Sequence, residues 1–179
     1  MDWQPTTPEL QATEDLCRLF RQHGGRSLLV GGWVRDRLLG LESRDLDLEV
    51  YGIPAADVQA LLERHHAVDL TGKAFGILKL KSWPIDVSIP RRESKRGLGH
   101  RGFLVESDPG LPPDVAARRR DFTINAMSFD PLTGEIVDPF GGAEDLQRRI
   151  LRHTSEQFAE DPLRVLRGMQ FCARFCLDA

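Results

Sequence analysis

The chain has 179 residues, of which 41% are hydrophobic and 28% charged, and its formal net charge is −3. This composition predicts a soluble globular protein with one sizeable core, without an apolar run of the roughly 20 residues needed to span a bilayer. The N-terminus also lacks the basic and apolar regions of a signal peptide, so we expect a cytoplasmic location. The negative charge excludes a strongly basic nucleic-acid-binding protein but is compatible with a local basic surface.

The first third of the chain alternates predicted helices and strands. Thr7 followed by Pro8 is typical of a capped helix start, and apolar residues then recur at helical spacing. Glycines punctuate the segments that follow. The predicted elements are a helix from Thr7 to His23, a strand over 27–30, a helix between Gly32 and Gly40, a strand over 45–51 and a helix that begins at Pro54.

The remainder of the chain predicts further strands, a long break and a helical end. Residues 91–113 scatter glycines and prolines among charges, which is typical of a functional or flexible loop. The last helix carries apolar residues on several sides, so we expect an incomplete protein whose next segment would cover it. The predicted elements are strands over 67–70, 75–80 and 84–89, regular structure over 114–120 and 123–129, a strand over 136–137, a helix over 143–149 and a helix that begins near Glu160.

Two carboxylates one residue apart are the most informative feature of the sequence. Asp45 and Asp47 lie on a predicted strand, where residues i and i+2 point to the same face. Leu46 and Leu48 can then be buried on the opposite face. Two aligned carboxylates form a site of hard oxygen ligands suited to Mg²⁺.

A glycine pair precedes these carboxylates by about a dozen residues. Gly31 and Gly32 let the backbone approach a phosphate, and they open a predicted helix whose free N–H groups favour anions. Together with the paired carboxylates, this turn indicates a nucleoside triphosphate site and phosphoryl-transfer chemistry.

Five ordered motifs resemble those of the class II tRNA nucleotidyltransferase and bacterial poly(A) polymerase family, which includes the CCA-adding enzymes. The resemblance extends from about Ser27 to Phe175 and therefore covers nearly the whole chain. The motifs are GGWVRD at 31–36, DLD at 45–47, RRDFTINAM at 119–127, DPFGG at 138–142 and EDPLRVLR at 160–167.

The resemblance implies an α/β (α+β) fold: a nucleotidyltransferase head of the DNA polymerase beta type, with a mixed sheet and flanking helices, followed by the first neck helix. It divides the chain into an N-terminal helix (1–26), a head domain (27–152, with a flexible loop at 91–113) and the start of a truncated helical neck (153–179). It also implies that the helical domains which hold tRNA in the family lie after Ala179.

The activity implied by the resemblance is template-independent addition of CMP and AMP, from CTP and ATP, to the 3′ end of tRNA. Asp45 and Asp47 would hold Mg²⁺ for two-metal phosphoryl transfer. Asp86 is the expected third catalytic carboxylate, with a surface position at a strand edge as its alternative reading. The residues implied to bind nucleotide are Gly31, Gly32, Arg35, Arg120, Asn125, Asp161, Arg164 and Arg167.

Asp161 and Arg164 are expected to select the base. At positions i and i+3 of a helix they would face the same way, so that a carboxylate and a guanidinium could bond the Watson–Crick edges of cytosine and adenine. From the sequence alone an intrahelical salt bridge is the simpler interpretation, and the family motif favours base recognition. For Asn125, organising the site is as good an interpretation as contacting the ligand.

Three positions depart from the pattern of the CCA-adding enzymes. Pro162 resembles poly(A) polymerases and A-adding enzymes, which usually have proline where CCA-adding relatives have alanine, and Gln170 replaces a frequent arginine. The run 101–103 replaces the usual Arg-x-Pro of the flexible loop. The alternatives are therefore poly(A) or A-only addition, or a head fragment that binds nucleotide and metal without turnover.

Overall fold

The computed structural model describes residues 4–43, 45–72, 76–95 and 103–179. Its helices are α1 (Pro8–Gln22), α2 (Gly32–Leu38), α3 (Ala55–His65), α4 (Pro113–Ala117), α5 (Gly142–Gln147) and α6 (Leu163–Phe175). Its strands are β1 (Arg26–Val30), β2 (Leu46–Tyr51), β3 (Val68–Asp69), β4 (Ile77–Leu80), β5 (Ile85–Ser88), β6 (Arg91–Lys95), β7 (Phe103–Ser107), β8 (Ser128–Phe129) and β9 (Ile136–Val137).

Seven strands form one mixed sheet in the order β3-β4-β5-β2-β1-β8-β9. The β2–β5 pair is parallel and the other pairs are antiparallel. Strand β2 lies at the centre and pairs with both β1 and β5. The predicted α/β class, with a mixed sheet and flanking helices, is confirmed.

The two faces of this sheet differ because side chains alternate along each strand. On one face of β2, Leu46, Leu48 and Val50 are buried in the main hydrophobic cluster. The buried apolar residues of α1 and α3 belong to the same cluster, so these helices cover this face. The other face of β2 carries Asp47 and Glu49, and it is this polar face that positions the candidate site.

Helix α1 forms as the sequence predicts. The Thr7 hydroxyl accepts a hydrogen bond from the Leu10 N–H at 3.4 Å, and Pro8 occupies the first turn. Leu16, Cys17 and Phe20 are at most 2% exposed and anchor the helix on the sheet. Burying these side chains stabilises the fold by roughly 1.5–3 kcal/mol for each large apolar group.

The C-terminal elements pack through aromatic contacts. The Phe171 ring of α6 meets Phe122 edge-on, with ring centroids 5.7 Å apart. Gly168 allows this approach, since a Cβ there would lie 3.1 Å from the Phe122 ring. Other apolar side chains of α6 are exposed, namely Leu163, Val165, Leu166 and Met169.

Two predicted element boundaries are wrong. The loop expected over 91–113 contains the antiparallel strands β6 and β7 and the start of α4, because β6 and β7 pair with each other rather than with the main sheet. The helix expected from near Glu160 begins at Leu163, after a 3₁₀ turn over Glu156–Glu160. Most of the run 101–103, where the sequence departs from the family pattern, lies outside the described residues.

No helix in the described part of the chain is long and apolar enough to cross a membrane.

Candidate functional site

The paired carboxylates project from the polar face of β2, as their spacing predicts. Asp45 immediately precedes the strand and Asp47 lies within it, and both are exposed. Leu46 and Leu48 are 3% and 0% exposed on the opposite face. The alternation of a strand therefore presents two carboxylates to solvent above a buried backbone.

Asp86 lies beside Asp47 across the parallel β2–β5 pair, where the two are register partners. The Asp86 carboxylate forms an ion pair with Lys79 of β4. Desolvation raises the pKa of Asp47; the Arg120 guanidinium lowers it, and the negative charges of Asp86 and Asp45 raise it further. Three carboxylates thus act on one another at this edge of the site.

Gly31 forms the turn between β1 and α2 with φ 73° and ψ −133°, a conformation that favours glycine. Its N–H donates to the Met127 carbonyl at 3.3 Å. A Cβ at this position would lie 3.2 Å from Arg120 Nη1 and 4.0 Å from Asp47 Oδ2. The missing side chain is therefore what lets the turn lie beside both groups.

A cavity of about 420 Å³ opens between this turn, the polar face of β2 and the start of α6. Its volume lies within the usual range for small-molecule sites. The lining residues are Gly31, Gly32, Arg35, Asp47, Arg120, Asp121, Asn125, Asp161, Arg164, Arg167 and Phe171.

Arg35 is 5% exposed and its guanidinium is held by protein groups. It donates to Asp36 at 2.8 Å and to the Asn125 side-chain oxygen at 2.5 Å. The same guanidinium lies over the rings of Phe171 and Phe175, 5.2 and 4.6 Å from their centroids. Arg35 consequently links α2 to α6 as well as lining the cavity.

A chain of hydrogen bonds continues from Asn125 toward α6. The Asn125 amide donates to Asp121 Oδ1 at 3.0 Å, and Arg167 Nε donates to Asp121 Oδ2 at 2.7 Å. This contact orients the half-exposed side chain of Arg167 at the cavity. Asn125 thus has the organising contacts that the sequence suggested.

Arg120 lies close to a buried carboxylate, that of Glu49. Glu49 is 2% exposed and its Oε2 lies 3.9 Å from Arg120 Nη2. Glu49 also accepts from Arg119 at 3.0 Å and from the Tyr51 hydroxyl at 2.6 Å. Burial alone would raise the pKa of Glu49, but Arg120, Arg119 and the Tyr51 hydroxyl hold it below its usual value.

Asp161 and Arg164 line the cavity together, but not as two residues of one helix. Asp161 has extended backbone and precedes α6, where its carboxylate accepts from the Leu163 N–H at 3.0 Å. The expectation that both residues lie on one helix is therefore wrong, because α6 begins at Leu163, with Pro162 as its N-cap. The Arg164 guanidinium donates to the carbonyls of Gln157 and Arg119 at 2.9 and 2.8 Å.

All eight expected nucleotide-binding residues line this cavity, and so does Asp47. Asp45 and Asp86 are not among the lining residues and lie at its edge, on and beside β2. Three further residues were not selected from the sequence: Asp121, Phe171 and Glu49. Extending the i, i+2 alternation from Asp47 to position 49 would have indicated Glu49.

The carboxylates fit a divalent cation that carries additional ligands of its own. Asp45 and Asp47 supply hard oxygen donors on one strand, and a small cation such as Mg²⁺ is usually bound by one or two carboxylates together with phosphates and water. Within the residues described, no cluster of three or more acidic, histidine or cysteine side chains is assembled for a metal. The oxygen ligands of a cation here would therefore come from the two carboxylates and from a phosphate-bearing ligand, and not from protein groups alone.

The cavity places positive charge opposite these carboxylates. Four arginines line it, from α2, from the segment before Asp121 and from α6, namely Arg35, Arg120, Arg164 and Arg167. Guanidinium groups bind phosphates through charge-assisted hydrogen bonds. This arrangement can hold a polyphosphate whose cation lies against Asp45 and Asp47.

Known proteins are similar to this chain in sequence and in fold. Residues 27–152 match the poly A polymerase head domain. The multifunctional CCA protein of Stenotrophomonas maltophilia (strain K279a) is 45% identical over 147 residues, which cover 82% of this chain and 35% of that protein. The chain therefore spans about a third of the length of this relative.

Two solved structures support the same assignment. The CCA-adding enzyme of Bacillus stearothermophilus, in complex with CTP, is 31% identical with a TM-score of 0.76, over 93% of this chain and 40% of that one. The Thermotoga maritima CCA-adding enzyme, complexed with tRNA, is 28% identical with a TM-score of 0.75, over 98% and 40%. The family resemblance of the five motifs is thereby confirmed, and the chain belongs to the poly A polymerase head domain family.

Proposed function

We propose that this chain is the nucleotidyltransferase head of an enzyme that adds CMP and AMP, from CTP and ATP, to the 3′ end of tRNA without a template. The observation that carries the proposal is that one cavity brings together Asp47, Asp161 and four arginines, of which Arg164 lies beside Asp161. Carboxylates, phosphate ligands and a candidate base reader are what such a reaction requires in one place.

Nucleotidyltransferases of this family use divalent metal ions, and we infer that the ion here is Mg²⁺, held by Asp45 and Asp47. When bound, it supplies charge neutralisation on the phosphates and activation of the attacking hydroxyl. The 3′ oxygen of the RNA forms a bond to the α-phosphorus, and the bond to pyrophosphate breaks. Asp86 is the proposed third carboxylate, although its ion pair with Lys79 competes with that role.

The remaining side chains bind and orient the nucleotide. Gly31 and Gly32 let the triphosphate approach the backbone, and Arg120 and Arg167 point cationic groups at it. Arg35 and Asn125 hold the floor of the cavity through their hydrogen bond. Asp161 and Arg164 would recognise cytosine and adenine, because a guanine or uracil edge would leave their hydrogen-bonding groups unpaired.

Extension of a tRNA that ends before its CCA tests this function. Incorporation of CTP followed by ATP, with Mg²⁺ and the unmodified chain, is the expected result. Arg164→Lys keeps the charge but loses the planar guanidinium, so we expect it to reduce discrimination against UTP and GTP. Incorporation of none of the four triphosphates, together with absent CTP binding, would contradict the proposal.

A second candidate is A-only or poly(A) addition, which Pro162 favours. This proline stands between Asp161 and α6 as the N-cap of the helix that carries Arg164, so it directly affects the geometry of the Asp161–Arg164 pair. Incorporation of ATP alone would support this activity. Retained CTP binding without any extension would instead indicate a head that needs the rest of a longer protein for turnover.

A further inference from the structure

Glu49 is the one buried carboxylate on the polar face of β2 and has no part in the chemistry described so far. It lies two residues beyond Asp47 on the same face and is 2% exposed, whereas Asp47 is exposed. Burying a carboxylate is strongly unfavourable unless it is paired. The role of Glu49 therefore depends on the groups that pair with it.

Three groups converge on the two Glu49 oxygens. Arg119 Nη2 donates to Oε1 at 3.0 Å and the Tyr51 hydroxyl donates to Oε2 at 2.6 Å. Arg120 Nη2 stands 3.9 Å from Oε2, which is an ion-pair distance beyond hydrogen-bond reach. Arg119 and Tyr51 thus occupy the carboxylate, while Arg120 is attracted by its charge without being bonded to it.

The N–H donors of the Arg120 guanidinium are consequently available to a ligand in the cavity. Among the described residues its guanidinium makes no hydrogen bond to a protein acceptor, and its Nη1 points to the corner where a Gly31 Cβ would lie 3.2 Å away. Asp47 Oδ2 lies 4.0 Å from the same point. Arg120 therefore stands between two carboxylates, one buried and one exposed.

We propose that Glu49 is a positioning residue that holds Arg120 toward a bound triphosphate and prevents it from pairing with Asp47. This inference rests on the proposed function, because it assigns Arg120 to the nucleotide and Asp47 to the cation. Without the Glu49 charge, Asp47 is the carboxylate beside Gly31 with which Arg120 can pair. Pairing there would withdraw the guanidinium from the phosphates and neutralise a ligand of the cation at the same time.

Titration of CTP binding at several MgCl₂ concentrations, with the 179-residue chain, tests the proposal without requiring turnover. Glu49→Gln should weaken CTP binding about tenfold, the value of a charge-assisted contact, and raise the Mg²⁺ concentration for half-maximal binding several-fold. Tyr51→Phe frees Oε2 to bond Arg120 directly. It should weaken CTP binding about threefold and leave the Mg²⁺ requirement unchanged, because Arg120 then moves away from Asp47.

Asp145→Asn is the matched control for the loss of a buried, paired carboxylate. Asp145 is 6% exposed and, like Glu49, accepts from a hydroxyl and an arginine, here Thr123 and Arg152. It does not line the cavity. We expect it to lower the melting temperature and to leave CTP affinity and the Mg²⁺ requirement at the wild-type values.

Three outcomes overturn the inference. The first is a Glu49→Gln variant with the wild-type CTP affinity and Mg²⁺ requirement. The second is a loss of CTP binding in Asp145→Asn that equals the loss in Glu49→Gln. If Glu49→Gln does not fold, Tyr51→Phe decides, and wild-type CTP affinity in that variant counts against the proposal. A wild-type chain that binds neither CTP nor ATP contradicts the proposed function itself, which separates the two failures.

Discussion

The two ends of the polar face of β2 carry the same charge in opposite environments. Asp45 and Asp47 are exposed at one end, and the pKa of Asp47 is raised by desolvation and by its acidic neighbours. Glu49, at the other end, is 2% exposed and its pKa is lowered by two guanidinium groups and a hydroxyl. Strand β2 and the residue before it therefore carry two exposed carboxylates and one buried carboxylate that already has its counterions.

This difference is the basis for proposing a cation-binding role at one end and a positioning role at the other. A carboxylate that the protein leaves partly unpaired is available to an external cation, whereas one that is saturated by protein donors can only orient those donors. The carboxylate charge and the spacing are shared along the face, so burial and pairing are what distinguish the proposed roles. The following variants test that distinction.

The largest expected effect is on catalysis at the exposed end. Asp45→Ala and Asp47→Ala should each reduce nucleotide incorporation by about 10³-fold or more, since metal-assisted charge stabilisation contributes several kcal/mol to the barrier. Single-turnover extension of tRNA measures the rate of nucleotide incorporation. Asp57→Ala, which removes an exposed carboxylate from α3, should leave the rate unchanged, and an equal loss there would point to a general charge effect.

The second effect is on stability and should appear at the buried end. Glu49→Ala leaves two guanidinium groups without their counterion and should lower the free energy of unfolding by about 3–5 kcal/mol. Asp47→Ala, on the same face, should change it by no more than about 0.5 kcal/mol. Urea denaturation compares the two variants. Equal losses would mean that Asp47 is also a structural partner and would remove the distinction.

The third effect concerns the turn that lies beside Asp47 and Arg120. Gly31→Ala forces a side chain into φ 73° and within 3.2 Å of Arg120, so we expect it to cost about 1–3 kcal/mol of stability and to weaken CTP binding. Gly24→Ala is the control, because Gly24 has φ 82° with nothing within 4 Å. It should cost stability and keep wild-type CTP affinity; equal CTP affinities in the two variants would contradict a role for the turn.

The smallest effect concerns Asp86. Lys79→Met removes the ion pair that occupies this half-exposed carboxylate, and exposed pairs contribute at most about 1 kcal/mol. If Asp86 is a third ligand, the Mg²⁺ concentration for half-maximal CTP binding should fall by up to about fivefold. Lys81→Met alters an exposed lysine outside this ion pair and should have no effect. An unchanged Mg²⁺ requirement in Lys79→Met would assign Asp86 to the sheet surface alone.

Much of the fold could be predicted because it rests on local patterns. The alternation of Leu46, Leu48 and Val50 indicated a strand, and Thr7 with Pro8 indicated the start of α1. The hairpin of β6 and β7 was missed because glycines, prolines and charges are scattered through this segment and its strands pair only with each other. The start of α6 was misplaced because Asp161 is extended and caps the helix from outside.

The residues of the candidate site could be predicted where they belong to a sequence motif. They could not be predicted where only tertiary packing brings them to the cavity. The division into an N-terminal helix, a head at 27–152 and a neck stays a prediction, as do the roles of the individual site residues. Asp121 and Phe171 join the cavity only because α6 packs on Phe122 and brings Arg167 to Asp121. Such contacts join residues about 50 positions apart, which no local spacing encodes.

The sequence by itself determined the family, the mixed α/β fold and the face of β2 on which Asp45 and Asp47 project, because periodicity and short motifs act through the local backbone. The tertiary structure alone decided that Glu49 meets Arg119 and Arg120, and that Arg164 bonds the Arg119 carbonyl. The physical reason is that the environment of a buried charge depends on which distant segments enclose it. Carboxylates two residues apart on one strand, Asp47 and Glu49, therefore acquire different environments only when the chain has folded.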